Sequence, residues 1–156
     1  HSPVTCRLRG YRYVPGALWP VSPFFVRHVR GLFARNERVV FQLAPDVALI
    51  MVSAVGVGHV RVAHWPSAAD ATPEAASGGF ETGHLRGKIW EQAVDVAITA
   101  GDELGTFLLG STVVLLFKAG VARLALTPGH SVRVGEPIGA LGASPPQTAG
   151  GRDGRF

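Results

Sequence analysis

The chain is poor in sulfur and in charge. It holds one cysteine, Cys6, and one methionine among 156 residues. A lone thiol makes no internal disulfide, so nothing points to an oxidising compartment. No CxxC pair exists, which excludes a thiolate zinc site. The histidines do not replace it, because His64, His84 and His130 lack metal-type spacing and no i, i+4 pair stands on a helix. Charged residues are 17% of the chain against 47% apolar, which excludes a disordered polymer or a coiled coil and allows a real core. The apolar run Val47–Gly58 is too short to span a bilayer and contains two glycines. No signal or transit segment is recognisable, and the chain opens on His1 rather than methionine, which reads as a processed or excised piece.

What is present suits a single β-rich domain. The length excludes a large multidomain enzyme. Gly 20 and Pro 11 are together about a fifth of the chain, more compatible with short strands and turns than with long helices. Charge is placed unevenly. Arg7, Arg9, Arg12, Arg27, Arg30, Arg35, Arg38 and Arg61 face only Glu37 and Asp46 in residues 1–62, whereas residues 63–156 are slightly acidic. Such an arginine-rich half meets an anionic lipid, an anionic substrate or nucleic acid, or is ordinary surface arginine. Nucleic acid is the weakest of these readings, because no basic stretch is interleaved with aromatics.

Residues 3–21 read as extended chain with a turn at Pro15-Gly16. Ser22-Pro23 looks like an N-cap followed by proline at the first helical position, and Phe24, Phe25, Val29, Leu32 and Phe33 have helical spacing, so one short helix is predicted over 23–33. Val39–Leu43, Val47–Val55 and Val60–Val62 read as strands, with a turn at Pro45-Asp46. Residues 66–88 are rich in Ala, Gly, Ser and Pro and read as a long loop. Val94–Thr99 and Thr112–Phe117 read as strands, Leu124 to Leu141 as apolar positions between glycine and proline turns, and 143–156 as a disordered tail.

The sharpest local feature runs from Gly101 to Thr112: GDELGTFLLGST. It lacks the lysine of a Walker loop, and Gly110-Ser111-Thr112-Val113 is not a GxSxG elbow. Taken alone it is a tight turn feeding the strand at Thr112. Four segments together say more. Leu109-Gly110-Ser111-Thr112 before a Val-rich strand resembles the maturation site of the phosphatidylserine decarboxylases, and Gly101-x-Glu103-x-Gly105-x-Phe107 precedes it at that family's spacing. Phe33-Ala34-Arg35-Asn36-Glu37-Arg38-Val39 is similar to its FARNERV segment, Tyr13-Val14-Pro15-Gly16 to its YVPG turn, and His1-x-Pro3 to its HxP motif. The resemblance covers roughly residues 1–142. Trp19-Pro20-Val21-Ser22 and Val57-Gly58-His59-Val60 depart from the family's FSVN and VGSI.

The resemblance implies an autocatalytic proenzyme. Ser111 Oγ attacks the carbonyl of Gly110, the amide becomes an ester, and elimination with hydrolysis turns Ser111 into a pyruvoyl group with loss of ammonia. A serine hydroxyl needs a base. The resemblance assigns that role to His1 within an Asp-His-Ser relay whose aspartate lies upstream of the HxP motif. The products are 1–110 and 111–156. The pyruvoyl carbonyl, the only implied cofactor, then condenses with the amine of phosphatidylserine and takes up the electrons released with carbon dioxide, much as pyridoxal phosphate does. His1 is also a proton carrier there, and Thr112 is either a helper or simply the first residue of a strand. The implied partners are phosphatidylserine in a membrane and the protein's own cleaved chain, with a homodimer left open. The implied location is peripheral to the cytoplasmic membrane of a bacterium.

The expected fold is mostly β, a β-sandwich with half-barrel sheets and one or two short helices, with residues 1–142 as one catalytic domain. Lys88 and Lys118 lack the flanking context of a biotinyl or lipoyl carrier. Two rival functions remain: a non-catalytic β-sandwich that binds anionic lipid, and a pyruvoyl decarboxylase of a small amino acid. Cys6 and His59 carry no assigned role.

Overall fold

A computed structural model of the chain describes residues 1–43, 46–56, 60–63, 80–81, 87–109 and 112–142. The chain divides into two compact units, His1–Leu116 and Phe117–Phe156. The elements in order are β1 (Cys6–Val14), α1 (Pro23–His28), α2 (Leu32–Arg35), β2 (Arg38–Leu43), β3 (Val47–Val52), β4 (Val60–Val62), β5 (Phe80–Glu81), β6 (Trp90–Ile98), β7 (Gly105–Phe107), β8 (Thr112–Phe117), β9 (Ala122–Leu124) and β10 (Gly139–Leu141). The mostly β expectation holds. One sheet has the order β6-β1-β2-β3-β8 and a second the order β5-β4-β7. Every strand pair with a described register is antiparallel. No helix of the described residues is long and apolar enough to cross a membrane.

The period-2 pattern builds the large sheet. On β2, Val39, Phe41 and Leu43 point inward, and on β3 Val47, Leu49 and Met51 do the same. On β1 the inward residues change parity, from Leu8 to Tyr11 and Tyr13. A register shift between Leu8 and Gly10 explains the change, since an extra residue in the strand flips which side chains face the core. Tyr11 and Phe41 are direct partners across β1 and β2, with rings 5.6 Å apart and edge to face. The Tyr11 phenol is buried, and loss of solvent pushes its pKa up to about 12.

The small sheet lies against the large one. Val60, Val62 and Leu104 are buried with Val52 and Met51. A methyl group on Gly105 in β7 would sit 2.6 Å from the Arg61 carbonyl oxygen and 2.9 Å from Met51 Sδ, so only glycine lets β7 come this close. The second unit contributes a two-stranded ribbon, β9 with β10, extended by Ala125 N–H donating to the Ile138 carbonyl (2.9 Å) and Gly142 N–H to that of Val121 (2.8 Å).

Several elements differ from expectation. The helix predicted over 23–33 is two helices, because Gly31 adopts a left-handed φ of 67° and Val29 is extended. Ser22 sits at the N-cap position of α1 with Pro23 next, but its side chain makes no capping bond. The strand expected over Val47–Val55 stops at Val52, and Ser53 and Ala54 continue as buried chain outside the ladder. Gly105–Phe107, read as turn, is strand β7, and the 66–88 loop contains β5, which pairs Phe80 with Val62 and Glu81 with Arg61. Val132 and Val134 lie among turns rather than strands. The rest of that loop, and the tail at 143–156, lie outside the described residues.

Candidate active site

The site is built from three chain segments that the first unit ties together. The first is the HxP segment. His1 is exposed, but Ser2 is buried and clamped: its N–H donates to the Asp102 carbonyl (2.7 Å), its carbonyl accepts the Gly101 N–H (2.9 Å), and its Oγ donates to the Val4 carbonyl (2.7 Å). Thr5 Oγ1 accepts the Ala100 N–H at 3.0 Å. The opposing turn is itself closed, with Asp102 Oδ2 accepting the Thr99 N–H (2.7 Å). The backbone at His1 is therefore fixed to Gly101-Asp102, the start of the GDELGTFLLGST segment.

The second segment is that one. Leu104 is fully buried, its carbonyl accepts the Ala63 N–H (3.0 Å), and β7 pairs Gly105 with Val62, Thr106 with Arg61 and Phe107 with Val60. Glu103 accepts a hydrogen bond from Thr106 Oγ1 and so ties down the entry to β7. β7 ends at Phe107 in the small sheet, and β8 begins at Thr112 in the large one. Gly110 and Ser111 lie outside the described residues, as do His59, His64 and His84. On either side of the pair the chain is apolar and open. Leu109 is 62% exposed, Leu108 and Val113 are also exposed, and a methyl on Gly56 would touch Leu109 Cδ2 at 3.5 Å, which brings exposed Val55 to the same rim.

The third segment gives the resemblance motifs a physical task. Tyr13-Val14-Pro15-Gly16 and Phe33–Val39 meet in a buried polar knot. A methyl on Gly16 would lie 2.5–2.6 Å from backbone atoms of Arg35, Asn36 and Glu37, so the turn needs glycine for close approach. Asn36 has no exposed surface. Its Nδ2 donates to the carbonyls of Trp19 (2.8 Å) and Ser53 (2.9 Å), and its Oδ1 accepts the Trp19 N–H (3.1 Å). Glu37 accepts from Tyr13 Oη (3.0 Å) and, at a long 3.4 Å, from Ser53 Oγ, while the Ser53 N–H donates to its backbone carbonyl (2.9 Å). Ser53 begins the short stretch that reaches Gly56 beside Leu109. Sequence reasoning gave Ser53 no role, and a buried serine just past a strand carries no signal of its own. Glu37 was legible, since it stands two residues before Val39, Phe41 and Leu43 on the inward register.

The acids and the thiol are otherwise engaged. Asp95 binds Arg7 at 2.6 Å and Arg9 at 2.8 Å, and the Arg7 hydrogen bond holds its carboxyl below the usual range. Cys6 is half-buried, and burial raises its pKa, the opposite of a reactive thiolate.

The family described as phosphatidylserine decarboxylase matches residues 1–140. The phosphatidylserine decarboxylase proenzyme of Anaeromyxobacter sp. (strain K) is 44% identical over 145 residues, which cover 89% of this chain and 48% of that protein. The proenzymes of Halorhodospira halophila and Alcanivorax borkumensis are 41% and 39% identical, each over 90% of this chain and 46% of the relative. The chain thus spans about half the length of the curated relatives it matches. With the family matched over residues 1–140 and these relatives 39–44% identical over about nine-tenths of the chain, the chain belongs to the phosphatidylserine decarboxylase family.

Proposed function

We propose that this chain carries the catalytic part of a self-cleaving decarboxylase that converts phosphatidylserine to phosphatidylethanolamine, with residues 1–142 as the catalytic unit. Family membership supports the reaction class. One structural observation supports the site: the HxP segment is hydrogen-bonded through Ser2 to Gly101-Asp102, the start of the motif that contains Gly110-Ser111.

In this reading Ser111 Oγ attacks the Gly110 carbonyl carbon, and the peptide nitrogen leaves as the amine of an ester-linked Ser111. Gly110 offers no side chain to block that approach. His1 accepts the hydroxyl proton, a task suited to an imidazole near neutral pH. Loss of the Ser111 α-proton then breaks the ester and frees the Gly110 carboxylate. Hydrolysis of the resulting dehydroalanine releases ammonia and leaves a pyruvoyl group. The residues present fit a group made in place: serine follows glycine in the sequence, and the flanking Leu108, Leu109 and Val113 are exposed apolar side chains suited to a glycerolipid. The pyruvoyl carbonyl supplies the electron sink for decarboxylation. His1 returns a proton to the product carbon.

Intact mass under denaturing conditions tests the reading. The 16.4 kDa chain is expected as two pieces, 1–110 and 111–156, the second carrying a carbonyl that hydrazine captures. Ser111→Ala is expected to remain one chain with no decarboxylation, and lipid decarboxylation retained in that variant sinks the mechanism. His1→Ala, in a precursor that includes the relay aspartate upstream of the HxP motif, is expected to slow maturation on the order of 10²-fold or more, and normal processing there would remove His1 from the relay. Carbon dioxide released from phosphatidylserine, but not from aspartate or histidine, separates a lipid enzyme from a decarboxylase of small amino acids.

A further inference from the structure

Helix α1 behaves unlike the strands around it. It buries none of its residues. Phe24 is 61% exposed, and Leu18, Trp19 and Val26 are exposed as well. The rings are nonetheless ordered against one another. Phe24 meets Phe25 edge-on at 5.5 Å, Trp19 lies 6.1 Å from Phe25, and His28 stacks on Phe24 at 4.3 Å with its Nδ1 2.7 Å from the Phe24 carbonyl. An organised aromatic cluster turned to solvent marks an interaction surface.

The charge beside it is of one sign. Residues 17–36 contain Arg27, Arg30 and Arg35, all exposed, and no aspartate or glutamate. Among the described residues no carboxylate forms an ion pair with any of the three; the ion pairs are those of Arg7 and Arg9 with Asp95 and of Arg12 with Glu91. Aromatic rings flanked by arginines match the chemistry of a lipid–water interface, where rings sit at headgroup level and guanidinium groups meet phosphates. Charge also argues against a second copy of this face as the occupant, because the pairing would set arginine against arginine.

We propose that residues 18–30 form a docking surface for an anionic lipid bilayer, with Trp19, Phe24 and Val26 entering the headgroup layer and Arg27 and Arg30 against its phosphates. The proposal deepens the decarboxylase reading by naming the face that meets the membrane, and it rests on that reading only for why a bilayer is needed.

The test is co-sedimentation of the chain carrying Ser111→Ala, which keeps chemistry out, with phosphatidylcholine vesicles with or without phosphatidylglycerol. Binding is expected only with phosphatidylglycerol and is expected to fall with salt. Arg27→Ala and Arg30→Ala should each weaken it about fivefold, and Phe24→Ala about tenfold. Arg12→Ala, from the paired set, should leave it unchanged. Since α1 buries nothing, circular dichroism should show all these variants folded. Binding unchanged in the Phe24→Ala/Arg27→Ala/Arg30→Ala variant overturns the proposal. So does an equal loss with Arg12→Ala, or a dimer that Phe24→Ala dissociates in the absence of any vesicle binding. Decarboxylation of detergent-dispersed phosphatidylserine by the Ser111-containing chain reads the other claim separately. Its absence in a precursor that includes the relay aspartate, beside intact vesicle binding, removes the enzyme reading and leaves the surface standing, and the reverse result removes only the surface.

Discussion

Two arginine sets lie close together in the sequence and in opposite physical situations. Arg7, Arg9 and Arg12 project from the outer face of β1 and are answered across the strand pair by Asp95 and Glu91 of β6. Arg27, Arg30 and Arg35 stand on or beside short helices with no carboxylate between residues 17 and 36. The same contrast extends inward. The polar groups of the knot around Asn36 are satisfied and buried, whereas the apolar groups of α1 are uncovered. A satisfied region holds the fold together, and an unsatisfied one has something left to bind. The comparison breaks if perturbing the knot is harmless or perturbing α1 is not.

The largest effect is expected at the knot. Asn36→Ala deletes three hydrogen bonds of a side chain with no exposed surface and leaves two carbonyls and one N–H to find other partners. The expected loss is about 3 kcal/mol or more. Urea denaturation of the Ser111→Ala background measures it, and a loss under about 1 kcal/mol would mean that the knot is not a structural clamp. Gly16→Ala should be comparably severe, because its methyl meets backbone rather than a yielding side chain.

Next comes an alkaline effect on the β1–β2 pair. The Tyr11 phenol is held at about 12 in the fold by burial, from an ordinary value near 10. The folded chain keeps that proton longer than the unfolded chain does. The stability it contributes is whole below about pH 10 and is lost as pH rises towards about 12, by about 3 kcal/mol in all. Tyr11→Phe is expected to flatten that part of the stability–pH curve. An unchanged alkaline slope would assign the loss to other groups.

Much of this was legible in the residues. Short apolar runs placed β2 and most of β3, and composition placed the fold class. The segments that carry the family resemblance are those that the fold clamps together: His1–Pro3 with Gly101-Asp102, and Tyr13–Gly16 with Phe33–Val39. What stayed hidden depended on distant partners. Gly105–Phe107 reads as turn because its strand character comes from pairing with Val60–Val62, far away in sequence. The break in the helix at Gly31 follows from a left-handed backbone that spacing of apolar residues does not report. Which arginines are paired could not be read at all, since Asp95 and Glu91 reach them only through the β1–β6 register.

The paired set should respond weakly. Arg12→Ala is expected to cost under about 1 kcal/mol, because the pair with Glu91 is half solvated on both sides. Lowering the pH should remove the contribution of Asp95 only as its depressed carboxyl finally protonates, since a group whose pKa is lowered in the fold stabilises above its ordinary pKa and fades below it. Added salt should mimic both changes, and a salt-independent loss would show that these arginines act through packing of their aliphatic stems instead.

The smallest effect, and the one that separates the two regions most cleanly, is expected on α1. Phe24→Asp with Val26→Asp replaces two large apolar residues by charge, a change that would unfold the chain at Phe41 or Leu8, which have no exposed surface. On α1 the same chemistry should alter unfolding free energy by no more than about 0.5 kcal/mol, because neither side chain leaves a buried site. The rings lose their contact with Phe25 and His28, but those contacts lie in water already. Urea denaturation of this variant decides the point. A loss of several kcal/mol, as for a core residue, would mean that α1 is part of the fold's support. No loss would leave the aromatic cluster with no structural reason to exist, and its reason would then lie in what it binds.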